Sequence, residues 1–168
     1  IFYNEQRNSR RVSWKQLPLN VFKISHFFKS KNIQCEDRIA AVLPNIPETV
    51  IAFLACAQIG AIWSSCSSDF GPKAIIDRFK QISPKILIIT DHYFYNNKKI
   101  DTLKNIKSII NEIPSIKNII IIPYADKEIS INNFKYTNWK SILKSKNKYE
   151  VFEKFKFNHP LYILFSSG

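Results

Sequence analysis

Methionine is absent from this chain of 168 residues, which opens on Ile1. A polypeptide without its initiator residue is expected to be a piece of a longer one. No window reaches the run of roughly 18 apolar residues that a membrane-spanning helix needs, so no membrane partner is expected. Arg7, Arg10 and Arg11 interrupt the apolar residues 1–3 before a secretory core could form. Cysteine occurs three times, at Cys35, Cys56 and Cys66. The odd count and the lack of Cys-x-x-Cys spacing argue against a disulfide framework and a zinc centre. Free thiols in a reducing, cytoplasmic compartment are the expectation. Neither His26 nor His159 has metal-ligand company, so no metal site is expected. Arginine supplies only 5 of the 25 basic residues.

The net charge of +12 invites comparison with nucleic-acid binders. Two features weigh against that class. The 20 lysines are scattered rather than grouped on one face, and arginine, the usual choice for bidentate phosphate and guanine contacts, is scarce. Ile, Lys and Asn together fill 63 of the 168 positions. All three have A/T-rich codons, so a base-composition bias accounts for a lysine-covered surface, and no nucleic-acid partner is expected. A hydrophobic content of 45% is ample for a core.

Apolar spacing organises the chain. Ser13 with Gln16 fits a capping box. Behind it, Trp14, Leu17, Val21, Ile24 and Phe28 form one stripe on a helix ending near Lys31. Residues 39–43 read as a buried strand closed by Pro44. Pro47 suits the first turn of a helix and Glu48 complements its dipole. Residues 50–59 are apolar nearly all round, so this helix is expected to be deeply buried, with Gly60 as its C′ residue. Residues 61–64 read as a second strand, followed by the small polar loop 65–71. Pro72 opens a helix over 72–82. Residues 85–90 form a third strand with Asp91 at its end. A polar helix is expected over 97–113, with Ile100, Leu103, Ile106 or Lys107, and Ile110 on its inner face. A fourth strand covers 118–122, a loop 124–138, a short helix 139–143, a linker 149–155 and a fifth strand 161–165.

Strands that are continuous apolar runs and alternate with helices indicate an α/β fold, with a parallel sheet flanked by helices on both faces. Ligands in such sheets bind beyond the carboxyl ends of the strands. Three loops leave those ends, at residues 44–47, 65–71 and 166–168. In the last, an apolar strand empties into Ser166, Ser167 and Gly168. Serine supplies hydroxyl and N–H donors and glycine lets backbone approach phosphate oxygens, so this is the start of a candidate phosphate loop.

The segments Leu43-Pro44-Asn45-Ile46-Pro47-Glu48-Thr49 and Gly60-Ala61-Ile62-Trp63-Ser64-Ser65-Cys66-Ser67-Ser68-Asp69-Phe70-Gly71 resemble the adenylate-forming acyl-CoA synthetase superfamily. His159-Pro160-Leu161-Tyr162-Ile163-Leu164-Phe165-Ser166-Ser167-Gly168 is similar to the strand and first half of that family's phosphate loop. Within the superfamily, the Trp63-to-Gly71 string is most similar to the acetoacetyl-CoA synthetase branch. The acetyl- and propionyl-type branch usually carries a more glycine-rich loop there. The resemblance implies an acid–thiol ligase working through an acyl-adenylate, with ATP, Mg²⁺ and CoA as its cosubstrates and acetoacetate or another short acid as substrate. It implies that residues 1–168 are part of a large N-terminal domain. The Mg²⁺ ligand, the acyl pocket and a mobile C-terminal domain lie elsewhere, so these residues alone are expected to be inactive. Ser166, Ser167 and Gly168 would open the phosphate cradle, and Ser67, Ser68 and Asp69 would line a channel for the CoA arm. The same three residues could also cap the helix that starts near Pro72, and the two roles can hold together. Cys66 in that loop has only His92 as a loose candidate for a base and reads as an inert thiol.

Overall fold

The computed structural model describes residues 1–5, 9–124, 134–146 and 152–166. Two short strands, β1 (Phe2–Tyr3) and β2 (Ser9–Arg10), pair antiparallel at the start. They are followed by α1 (Gln16–Ser30), β3 (Arg38–Val42), α2 (Pro47–Gln58), β4 (Ile62–Cys66), α3 (Pro72–Ile82) and β5 (Ile86–Thr90). Then come β6 (His92–Tyr95), β7 (Lys98–Asp101), α4 (Ile106–Glu112), β8 (Asn118–Ile122), β9 (Thr137–Asn138) and α5 (Trp139–Leu143). The main sheet runs β4-β3-β5-β8-β9, and every pairing in it is parallel.

Each central strand is apolar on both faces because both faces are covered. Ile39, Ala41, Ile86, Ile88, Ile120 and Ile122 join one core with residues of α1, α2 and α5. Ala40, Val42, Leu87, Ile89, Ile119 and Ile121 join the other with residues of α3 and α4. The two-residue alternation of a strand divides these runs between the cores. The connection that leaves β3 passes through α2 on the first face. The one that leaves β5 reaches α4 on the second. The carboxyl ends of β3 and β5 are neighbours, so a crevice opens where the connections diverge.

Local chemistry sets several boundaries. Ser13 Oγ accepts the Gln16 N–H at 3.1 Å, ahead of α1. Pro47 and Pro72 occupy the first turns of α2 and α3, and Gly60 takes a positive φ of 68° just after α2. Asp37, largely buried, accepts from Lys85 Nζ at 2.6 Å and from the Gln34 N–H at 2.8 Å. It thereby ties the start of β3 to that of β5.

Four expectations change. Trp14 does not belong to the α1 stripe: it precedes the first helical turn and is 87% exposed, while Val21, Ile24 and Phe28 are buried. Helix α2 is buried on one side only, with Val50 on its open side, because the sheet covers a single face of it. Residues 92–101 form the β6–β7 hairpin rather than the start of a helix. Its turn, Asn96-Asn97, has φ of 49° and 58°, the left-handed conformation that asparagine tolerates and a tight hairpin demands. The helix is thereby confined to Ile106–Glu112.

The fourth difference concerns residues 161–165, which meet β4 at one parallel bridge, Trp63 with Tyr162, and form no regular strand. The fifth strand of the sheet is instead β9, on the opposite edge. Parts of the expected loop 124–138 and linker 149–155 fall outside the described residues.

Candidate functional site at the carboxyl edge of the sheet

Both segments singled out in the sequence arrive at the same edge. Trp63 N–H donates to the Leu161 carbonyl at 3.1 Å, and Ile163 N–H donates to the Trp63 carbonyl at 2.8 Å. Residues 161–165 therefore run alongside β4 in the same direction. With Tyr162 opposite Trp63, Phe165 falls level with Cys66, and both pack into the α3–α4 core. Ser166, exposed, thus leaves the sheet at the level where the loop containing Ser67, Ser68 and Asp69 leaves β4. Ser167 and Gly168 lie outside the described residues.

That loop borders a cavity of about 140 Å³ in the crevice between β3 and β5. Val42 and Ile89, near the ends of those strands, contribute to its lining. Ser68, Asp69 and Gly71 contribute from one side, and Tyr93, Asp101 and Thr102 of the hairpin and its exit contribute from the other. Ser68 is buried, and its Oγ has no hydrogen-bond partner. A buried hydroxyl without a partner is costly and is normally satisfied by water or ligand. Burial holds the Tyr93 hydroxyl above its ordinary pKa, and the Asp69 carboxylate adds to that shift, so Tyr93 stays a neutral donor. Ser67 is exposed and does not line the cavity; its carbonyl accepts from the Phe70 N–H at 3.2 Å.

The capping reading of these three residues fails. Helix α3 has Gly71 at its N-cap with no side-chain bond, and Pro72 at N1 has no N–H to offer. Phe70 instead lies under the Arg78 guanidinium at 4.8 Å. Sequence reasoning also missed Tyr93, Asp101 and Thr102, whose signal was the Tyr-Phe-Tyr run meeting an Asn-Asn turn.

The neighbouring strand ends are tied together. Asp91 Oδ1 accepts the N–H groups of His92 at 2.9 Å and Tyr124 at 2.8 Å, joining the exits of β5 and β8. Its Oδ2 lies 2.9 Å from His92 Nδ1. Arg10 makes a bidentate pair with Glu48 at 2.7 and 3.0 Å, which fastens the N-terminal hairpin to the start of α2.

Burial pushes the Cys66 thiol up in pKa, and Arg78 offsets only part of that. Burial raises Cys56 much further. Burial thus disfavours the thiolate, the reactive form, at both positions. Cys35 is exposed. Titration of the native protein with an aromatic disulfide reagent should modify Cys35 rapidly, and Cys56 and Cys66 only after denaturant is added. Fast modification of Cys66 in native protein would contradict this account of the loop. Among the described residues, no group of three or more His, Cys, Asp or Glu could hold a metal ion, and no helix is long and apolar enough to cross a membrane.

Comparison with known proteins agrees with this geometry. The family described as AMP-binding enzyme matches residues 1–168. The acetoacetyl-coenzyme A synthetase of Rhizobium meliloti (strain 1021) is 39% identical over 171 residues, which span 100% of this chain and 26% of that protein. The acetoacetyl-CoA synthetase of Xenopus tropicalis is 34% identical, over 97% of this chain and 25% of its own. The solved structure of acetoacetyl-CoA synthetase from Streptomyces lividans superposes with a TM-score of 0.90 at 32% identity. That superposition covers 98% of this chain and 25% of the Streptomyces chain. The chain thus spans about a quarter of the length of the relatives it matches.

Proposed function

Because the chain belongs to the AMP-binding enzyme family, we propose that it contributes to a ligase joining acetoacetate to CoA at the expense of ATP. In the first half-reaction a carboxylate oxygen attacks the α-phosphorus of ATP and pyrophosphate leaves, giving an acyl-adenylate. In the second, the CoA sulfur attacks the acyl carbon, the thiol proton is lost and AMP leaves. The observation that carries this reading is the similarity to acetoacetyl-CoA synthetases along the whole chain, with identities of 39% and 34%. The geometry adds support, since Ser166 and the Ser68 cavity sit at one edge of the sheet.

In this reading Ser166, Ser167 and Gly168 offer N–H and hydroxyl donors to the phosphates, where charge builds up during displacement. Ser68 and Asp69, with Tyr93, line the route of the CoA arm. ATP enters with Mg²⁺, which supplies charge neutralisation on the phosphate oxygens when bound. In this reading the part taken by this chain's own residues is to donate to phosphate. The free thiols fit a cytoplasmic location.

The test is an AMP-release assay on the intact gene product with acetoacetate, acetate, propionate and butyrate, each with ATP, Mg²⁺ and CoA. Acetoacetate should give the highest kcat/KM. A clear preference for acetate would move the protein to the acetyl-type branch, and turnover of none of the acids would refute the ligase reading.

A further inference from the structure

Residues 161–165 feed the candidate phosphate loop, yet their backbone meets the sheet only through the two hydrogen bonds to Trp63. In a regular parallel ladder, the rung beyond Ile163 would take its carbonyl to the N–H of Ser65. Here the Ile163 carbonyl accepts from Ser64 Oγ instead, at 2.9 Å. Ser64 is fully buried. One residue on, Ser65 Oγ hydrogen-bonds the hydroxyl of Tyr162. The Tyr162 ring is steadied by Phe53, with centroids 6.0 Å apart. Upstream, His159 Nε2 donates to the Gly60 carbonyl at 2.9 Å, and its ring stacks on Phe155 at 4.8 Å.

We infer that Ser64, Ser65 and Tyr162 are positioning residues for the nucleotide, acting as a hydroxyl clamp that sets where Ser166 emerges. The inference rests on the ligase reading above. A full backbone ladder would lock residues 161–165 rigidly to β4. Beyond the two backbone bonds to Trp63, side-chain bonds hold the same segment through a few replaceable contacts, so the position of Ser166 depends on two serine hydroxyls and one phenol as well. Strand β4 also leads directly into Ser67, Ser68 and Asp69. One strand thereby registers the phosphate loop against the cavity used in the second half-reaction. Removing a clamp hydroxyl should act on ATP more than on the acid, because no clamp atom needs to touch the acid.

Acid-dependent exchange of labelled pyrophosphate into ATP isolates the first half-reaction. In the intact gene product, Ser64→Ala should raise KM for ATP about fivefold, the equivalent of one hydrogen bond, with KM for the acid unchanged. Ser64→Thr, which keeps the hydroxyl, should restore most of it. Tyr162→Phe removes one partly exposed oxygen and leaves the ring on Phe53, so it tests the clamp without altering the buried core at Ser64. It should shift KM for ATP in the same direction. Amide hydrogen exchange over residues 161–166 supplies a second readout, in which ATP protection should be reduced in both variants. Wild-type exchange activity with unchanged ATP constants in both variants overturns the clamp and leaves the ligase reading standing. A wild type that neither exchanges pyrophosphate nor gains amide protection with ATP overturns both.

Discussion

Replacing Gly60 with alanine should lower the unfolding free energy by about 3 kcal/mol. Two costs add. With φ at +68°, any β-carbon at this position is strained, and the left-handed conformation costs an L-residue about 1–2 kcal/mol. That β-carbon would also stand 2.4 Å from Cε1 of Phe155 and 2.9 Å from Sγ of Cys35. Both would have to give way, and overpacking of this kind costs about 1–3 kcal/mol. The carbonyl of Gly60 receives the Glu36 N–H at 2.7 Å and His159 Nε2 at 2.9 Å. Pushing Phe155 aside therefore disturbs the segment that leads to residues 161–166. Urea unfolding followed by circular dichroism should show a lower midpoint at an unchanged slope. A loss below about 1 kcal/mol would mean that neither the strain nor the clash is real.

Trp63→Ala should be the more damaging change, at about 3–5 kcal/mol. The indole is 1% exposed, joins the core under α1 and α2, and meets Phe53 edge to face at 6.2 Å. Truncation leaves a large void, and the backbone that bridges residues 161 and 163 loses its support. Trp14→Ala provides the control. That ring is 87% exposed, so its loss should move stability by no more than about 0.5 kcal/mol. Equal effects from the two substitutions, read from urea midpoints, would contradict the burial assigned to each ring.

Much of this architecture was legible in the residues. Pro47 and Pro72 marked the starts of α2 and α3, because proline is tolerated where no N–H partner exists. The apolar runs around Ile39, Ile86 and Ile119 announced buried parallel strands, since only a sheet covered on both faces is apolar at every position. Other features misled. Trp14 matched the helical spacing, but spacing does not report where the first turn begins. The isoleucines and leucine after residue 97 have helical spacing, whereas Asn96 and Asn97 carry the turn chemistry of a hairpin. Ser67, Ser68 and Asp69 had capping chemistry, while the loop carried the helix start on to Gly71 and left Ser68 facing no partner.

The sequence by itself determined the fold class, the placement of most elements and the two segments at the candidate site. The fold class and the elements follow from hydrophobic period, from the φ that proline fixes and from the positive φ that glycine tolerates, all of which act over a few residues, while the two segments follow from their motifs and the family they resemble. Only the tertiary structure decided how residues 161–165 are held. Their partner carbonyl bond to Ser64 spans 99 positions of chain, and it replaces a backbone rung with a side-chain hydroxyl. Local periodicity carries no record of such a contact, because an apolar run looks the same whether a ladder or a clamp secures it.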